Sequence, residues 1–363
     1  MDILLQGIKA ITWQMPVMWV IGGILIYLAI KKEMEPTLLL PMGLGAILVN
    51  LPLSGAKEVL ETLYNAGIAN ELFPLLLFIG IGAMIDFGPL LSNPRMLFIG
   101  AAAQFGIFFT LSMARLIGFD MTDAASIAII GAADGPTSIV VANTLGSKYI
   151  GAIMVAAYSY MALVPIVQPP FIKLVTTKKE RLIRMPYNPS AVTRQMRILF
   201  PILVTMVAGI VAPASVALVG FLMFGNLLRE CGVLESLSQT AQTALANLIT
   251  LLLGLTVAFS MQAESFLRLE TLMILGLGLV AFIFDTIGGV LFVKFLNLFR
   301  KEKMNPMIGA AGISAFPMAS RVVHKMGLKE DPQNFLLMHA AGANVAGQIA
   351  SAIVGGLIIS LVL

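Results

Sequence analysis

Long runs of this chain carry no charged side chain. Residues 149–172 and 198–228 contain no Asp, Glu, Lys, Arg or His. About 20 apolar residues suffice for one helix to cross the hydrocarbon core of a bilayer. Charged residues make up 12% of the 363-residue chain, about half of what a soluble domain carries. These features predict an all-α polytopic membrane protein forming one integral-membrane domain over 1–363. Candidate spans are 17–30, 37–51, 72–86, 96–118, 149–172, 198–211, 213–230, 244–260, 270–299 and 333–361, about ten in all. The first run, Val17–Ile30, ends in Lys31-Lys32 rather than in small residues, so it reads as a retained span and not a cleaved signal.

Two segments between these spans, 124–146 and 306–326, are interrupted by Gly and Pro and read as broken or re-entrant. Basic residues suggest why. The loop 173–197 holds Lys173, Lys178, Lys179, Arg181, Arg184, Arg194 and Arg197 against Glu180, which marks it as cytoplasmic. Arg300, Lys301 and Lys303 mark a second cytoplasmic loop, whereas 52–71 carries Glu58, Glu61 and Glu71 against Lys57 and suits the outside. These placements agree only if 124–146 enters and leaves on the outer side. The net charge of +4 thus belongs to membrane topology and does not point to nucleic acid.

Several short blocks recur in the same order. Ile130-Gly-Ala-Ala-Asp134 resembles Ile308-Gly-Ala-Ala-Gly312, Leu48-Val-Asn50 resembles Phe224-Gly-Asn226, Leu75-Leu-Leu-Phe resembles Leu251-Leu-Leu-Gly, and Ala156-Ala-Tyr-Ser-Tyr160 resembles Ala340-Ala-Gly-Ala-Asn344. By the charge-derived topology Asn50 ends a span running outward and Asn226 one running inward. The expectation is an inverted repeat, 37–172 and 213–361, with an ion site between the broken helices.

Asp134 is the carboxylate inside the first broken segment. A charge at bilayer depth costs about 2.5–3.5 kcal/mol on insertion scales and usually faces a cavity. Gly135 and Pro136 free backbone carbonyls beside it, and Thr137 and Ser138 add oxygens of the kind hard cations take. One reading is a cation site; the other is a buried carboxylate that only pins a turn. Tyr160 and Asn344, paired by the repeat, suggest a shared polar centre, although a tyrosine bonded to a neighbouring helix carbonyl is the plainer alternative. In the second segment Asn305 is placed to cap a helix, Ser314 to give an oxygen to a cation, and Arg321 either to anchor the cytoplasmic side or to clamp a carboxylate. Asp285 falls inside an apolar run, where it either pairs with Lys294 or lines a cavity. Asp86 and Arg95 bound a loop.

Other chemistry is poorly represented. Cys231 is the single cysteine, and His324 and His339 are the two histidines, too few for a thiolate or histidine-rich metal centre. The 22 methionines are scattered, as packing uses them. No phosphate loop, nucleophile elbow or zinc spacing is present.

The blocks Gly131-Ala-Ala-Asp-Gly-Pro-Thr-Ser138, Asn143-Thr-Leu-Gly-Ser-Lys148, Tyr158-Ser-Tyr160, Gly225-Asn-Leu-Leu-Arg-Glu-Cys-Gly-Val233 and Gly309 through Arg321 resemble the beta subunits of the sodium-pumping biotin-dependent decarboxylases, from about residue 15 to the C-terminus. That family serves oxaloacetate, methylmalonyl-CoA, glutaconyl-CoA and malonate decarboxylase complexes, and the short N-terminus looks more like the acyl-CoA members. The resemblance implies decarboxylation of carboxybiotin, consumption of an external proton and export of Na+. It implies Asp134 and Tyr160 as the sodium and proton groups, Asn305, Gly309 and Ser314 as further functional positions, Asn344 as a sodium-site asparagine and Arg321 as the residue meeting carboxybiotin. It also implies an elevator-like scaffold and core, a homotrimer, a small gamma membrane subunit, and biotin-carrier and carboxyltransferase partners. The rivals are a sodium/proton antiporter or sodium-coupled transporter working without biotin, and an inert membrane anchor.

Overall fold

The computed structural model describes residues 2–186 and 192–363. Met1 and residues 187–191 of the basic loop 173–197 lie outside the described residues. Every regular element among those described is helical. Seven helices are long and apolar enough to cross a membrane: Gln14–Lys32, Met96–Ile117, Ile150–Val175, Arg194–Val211, Glu235–Phe259, Leu269–Leu298 and Leu337–Val362. An eighth span is available if Ala56–Gly67 and Leu72–Met84, bent by 64° at their junction, count as one. The other two expected spans appear as Pro36–Val49, of 14 residues, and Val216–Glu230, of 15 residues. At 1.5 Å per residue such helices fall short of a core about 30 Å thick, so length alone supports fewer than ten.

The short helices sit in two close pairs. Pro36–Val49 packs on Ala246–Phe259, and Leu72–Met84 on Val216–Glu230. Glycine at the crossings lets backbones touch, as small residues do between membrane helices. A Cβ on Gly45 would lie 2.5 Å from the Ala258 methyl, and one on Gly225 would lie 2.0 Å from the Ile79 carbonyl oxygen. Each pair is also stitched by a buried asparagine. Asn50 Nδ2 donates to the Met261 carbonyl at 2.8 Å, and its Oδ1 accepts from Ala263 N–H at 2.7 Å. Asn226 Nδ2 donates to the Ile85 carbonyl at 3.0 Å.

These crossings yield a stability prediction. A Cβ on Gly82 would meet the Leu222 carbonyl oxygen at 1.8 Å, and backbone cannot rotate aside as a side chain can. Gly82→Ala should destabilise the protein by about 3 kcal/mol, read as a lower melting temperature of the detergent-solubilised protein. An unchanged melting temperature would mean that the two helices are not in backbone contact.

Both broken segments are hairpins with pinned ends. The first runs through the helix Met121–Ala128, the 3-10 turn Ile129–Ala132 and the helix Gly135–Thr144. Its ends are joined where Ser147 Oγ donates to Asp123 Oδ1 at 2.7 Å and Lys148 Nζ lies 3.2 Å from Asp123 Oδ2. The second runs through the 3-10 segment Pro306–Gly312 and the helix Met318–Glu330. Arg181 joins its ends: its carbonyl accepts from Asn305 Nδ2 at 2.9 Å and Asn334 Nδ2 at 3.0 Å, and its guanidinium pairs with Glu330 at 2.8 Å. The tips of the hairpins meet, with Ser314 N–H donating to the Ala132 carbonyl at 3.0 Å.

The pinned ends also sort the charged loops. Lys294 Nζ donates to the Val175 carbonyl and lies 3.2 Å from Glu180, and Arg184 pairs with Asp331. The basic loops 173–186 and 294–305 therefore gather at one end with the mouth of the second hairpin. The mouth of the first hairpin gathers at the other end, where Asn143 Nδ2 donates to Glu71 at 3.0 Å. Asp285 does not pair with Lys294, which stands nine residues further along the same helix, about 13 Å away. Its carboxylate instead accepts the backbone N–H of Gly106, just after the break at Ala103–Gln104 in the span Met96–Ile117. Asp86 accepts from Gly88 N–H at 2.8 Å and pairs with Arg197.

Candidate functional site

Asp134 owes its position to the residues on either side. Ala133, at φ 51°, turns the chain through the left-handed region, and Pro136 sits in the first turn of the helix Gly135–Thr144, where its missing N–H costs nothing. Asp134 is the N-cap of that helix and is buried. Its Oδ2 accepts from Thr137 Oγ1 at 2.7 Å, Ser351 Oγ at 2.8 Å and Gln348 Nε2 at 3.1 Å. Its Oδ1 has only the long contact from Thr137 N–H, at 3.4 Å. Ser138 Oγ returns to the Asp134 carbonyl at 2.8 Å. Among the described residues no Lys, Arg or His forms an ion pair with this carboxylate. A buried carboxylate needs hydrogen bonds or a counter-charge; here neutral hydroxyls and an amide supply the first and leave the second role open.

The helix Leu337–Val362 closes the site. Asn344, Gln348 and Ser351 fall at i, i+4 and i+7, one face of a helix. Asn344 Nδ2 donates to the Ile313 carbonyl at 2.7 Å, and Ser314 Oγ donates to the Gly347 carbonyl at 3.1 Å. The same face thus holds the tips of both hairpins. Asn344 Oδ1 is buried with no hydrogen-bond partner among the described residues. Hydroxyl oxygens, side-chain carbonyls and a carboxylate are the donor set of a hard cation. Gln348 and Ser351 escaped the sequence reading, although their spacing from Asn344 was a usable signal.

The structure brings together Asp134, Gly135, Pro136, Ser314 and Asn344, and places four other expected residues, Tyr160, Asn305, Gly309 and Arg321, apart. Tyr160 donates to the Leu275 carbonyl, and its ring packs over Gly278. Asn305 spends its amide on the Arg181 and Ile183 carbonyls, both at 2.9 Å, while its Oδ1 caps the 3-10 segment through Met307 N–H. Gly309 meets Gly289 backbone to backbone, where an added Cβ would lie 2.1 Å from the Gly289 carbonyl oxygen. On the same helix as Tyr160, Tyr158 reaches the residue after Asp134, its ring lying against Gly135.

Arg321 belongs to a different feature. It is exposed on the helix Met318–Glu330 and lines a cleft of about 690 Å³ between that helix, Pro165 and Pro169, and the loop 32–36. Lys32, Lys173, Lys325 and Lys329 line the same cleft, facing Glu33, Glu35 and Glu330. Burial pushes the Glu35 carboxyl above its ordinary range, against the opposing pull of the Arg321 charge. Arg321 forms no salt bridge with a described carboxylate, so its guanidinium fork is available to an anion in the cleft. The second hairpin links the two places, its tip at Asp134 and its helix along the cleft.

The chain matches the family described as the Na+-transporting oxaloacetate decarboxylase beta subunit over residues 14–362. It is 50% identical to the methylmalonyl-CoA decarboxylase subunit beta of Veillonella parvula, covering 98% of this chain and 95% of the relative. It is 49% identical to the glutaconyl-CoA decarboxylase subunit beta of Acidaminococcus fermentans, covering 98% and 96%. The oxaloacetate decarboxylase beta chain of Haemophilus ducreyi is 44% identical, covering 98% and 97%.

Proposed function

Because the chain belongs to the family of the Na+-transporting oxaloacetate decarboxylase beta subunit, we propose that this integral multi-pass membrane protein decarboxylates carboxybiotin and couples that reaction to sodium export. The observation that carries this reading is the Asp134 cluster: a buried carboxylate wrapped by neutral oxygen and amide groups where two hairpins meet. Sodium is the cargo. Asp134 neutralises it, while Thr137, Ser314, Asn344 and Ser351 offer oxygens from both hairpins and the closing helix. Tyr160 and Asn305 act from outside this cluster, Tyr160 by fixing the helix Leu269–Leu298 and Asn305 by holding the mouth of the second hairpin.

Arg321 receives the carboxylate of carboxybiotin in the cationic cleft, at the cytoplasmic end marked by the basic loops. A biotin-carrier subunit brings the group, a carboxyltransferase subunit loads it, and a small gamma subunit and two further beta copies complete the membrane part. A proton from outside replaces sodium at Asp134, and its arrival in the cytoplasm is matched by its use in decarboxylation. The substrate of the whole complex is an acyl-CoA rather than oxaloacetate, in line with identities of 50% and 49% to the beta subunits named for acyl-CoA substrates against 44% to the oxaloacetate one.

The repeats 37–172 and 213–361 are inverted halves of an elevator-like core and scaffold, with Pro36–Val49 and Val216–Glu230 as thin spans that bring the total to ten. The reciprocal bonds support this. Asn50 of the first half reaches Met261 of the second, and Asn226 of the second reaches Ile85 of the first, as a two-fold axis in the membrane plane requires. The hairpins open to opposite ends and meet at their tips, which also fits.

The test is sodium-22 uptake into inverted vesicles holding this chain and its candidate partners, with free carboxybiotin supplied. Uptake that starts on adding carboxybiotin is expected. Uptake driven only by an imposed proton gradient, indifferent to carboxybiotin, would replace this reading with a sodium/proton antiporter.

A further inference from the structure

Tyr158 is a buried polar residue. It stands on Ile150–Val175, two residues before Tyr160. Two residues are about 200° of helical turn, so the two phenols leave opposite sides of the helix. Tyr160 faces Leu269–Leu298 and spends its hydroxyl on a carbonyl there. Tyr158 faces the first hairpin. A Cβ built on Gly135 would lie 2.4 Å from Tyr158 Cζ, the carbon that bears the hydroxyl, and 2.3 Å from Cε1. That hydroxyl therefore sits at the amino end of the helix Gly135–Thr144, beside the residue that follows Asp134. The side chain is 2% exposed, and its hydroxyl has no hydrogen-bond partner among the described residues.

A buried hydroxyl without a partner is costly and asks for an explanation. Ring packing against Met154, Val155 and Ala162 accounts for the ring, and phenylalanine would meet that need equally well. The hydroxyl is different: it can donate one hydrogen bond and accept others. Asp134 Oδ1 is the less occupied of the two carboxylate oxygens, with only the long contact from Thr137 N–H, so a cation held there would lie on the side left open. A bound cation asks the hydroxyl for a lone pair.

We propose that Tyr158, rather than Tyr160, supplies the tyrosine oxygen of the sodium site, ligating Na+ beside Asp134. The inference rests on the sodium-site reading of Asp134 given above and adds a ligand to it. It also gives Gly135 a reason: any side chain there would push the ring off the site, because the clash is with the rigid ring and not a flexible tip.

The test is sodium protection against thermal unfolding of the purified, detergent-solubilised protein, titrated with NaCl against choline chloride at constant ionic strength. A ligand that binds only the folded state stabilises it by RT ln(1 + L/Kd) at free ligand concentration L, so the melting temperature against sodium concentration reports Kd and needs no carboxybiotin. Tyr158→Phe should raise the sodium concentration needed for a given rise in melting temperature by about five- to tenfold, as losing one ligand hydrogen-bonding group does. Tyr160→Phe should leave it within about twofold. Tyr158→Phe titrating like the parent would overturn the proposal. If Asp134→Asn keeps the full sodium effect as well, the sodium-site reading itself falls; if Asp134→Asn loses it and Tyr158→Phe does not, only the role of Tyr158 falls. Should Tyr158→Phe not yield folded protein, 3-fluorotyrosine placed at 158 keeps the ring and alters the donor strength of the oxygen. It should change the sodium concentration needed for a given rise in melting temperature, and the same label at 160 should not. No shift at 158 would overturn the proposal equally.

Discussion

Asp134→Asn is expected to lose sodium transport and carboxybiotin decarboxylation together, each by at least about 100-fold, while the protein still folds. The substitution is nearly isosteric. With the amide oxygen in the place of Oδ2, the bonds donated by Thr137 Oγ1, Ser351 Oγ and Gln348 Nε2 at 2.7, 2.8 and 3.1 Å are kept, and the new amide nitrogen takes the less occupied place of Oδ1. What disappears is the charge. Among the described residues no other carboxylate touches the cluster, and a cation held there would remain unneutralised in a medium of low dielectric. The effective cost of an uncompensated buried ion is several kcal/mol, and about 1.4 kcal/mol is a factor of ten, so two decades is a conservative expectation. Sodium-22 uptake and carboxybiotin-dependent turnover in proteoliposomes are the measurements, with melting temperature as the control for folding. Retained sodium-dependent decarboxylation would remove Asp134 from the coupling site.

How far the sequence anticipates this site can be traced residue by residue. Asp134 stood out because lone charges in apolar runs are expensive, and the Gly-Pro step beside it announced the chain break. The basic loops foretold that the first hairpin would have both ends together, and Asp123, Ser147 and Lys148 join there. Orientation was the harder quantity. Polarity at Tyr158, Tyr160, Asn305 and Asn344 is visible in the sequence, but the rotation of a nearly all-apolar helix about its axis is set by tertiary packing. Leu337–Val362 has polar residues in a background of Gly, Ala and Val, small enough to pack on any side. The face carrying Asn344, Gln348 and Ser351 is distinguished only once the hairpin tips are in place. Helix length follows from a related effect. Pro36–Val49 and Val216–Glu230 read as spans by hydropathy, yet their glycine-lined crossings let them be short, because neighbouring helices rather than lipid cover part of their surface.

Arg321→Gln should separate the two ends of the second hairpin functionally. Glutamine keeps much of the side-chain reach and a donor amide, but removes the charge and the two-pronged geometry that matches a carboxylate. Two charge-assisted hydrogen bonds lost in a partly shielded cleft amount to about 3 kcal/mol, so kcat/KM for free carboxybiotin should fall about 100-fold. Arg321→Lys restores the charge without the fork and should recover only part of that loss. Sodium protection against unfolding should stay at the parent value in both variants, because no hydrogen bond or salt bridge joins Arg321 to the Asp134 cluster. The measurement is initial decarboxylation rate against carboxybiotin concentration at saturating sodium, beside the NaCl melting titration. Loss of sodium protection with an unchanged carboxybiotin response would place Arg321 with the cation and not with the anion. Loss of turnover alone would leave the two substrates at opposite ends of one hairpin, so that the segment Ile313–Pro317 between Asp134's partners and the cleft becomes the mechanical link through which decarboxylation and sodium movement are coupled.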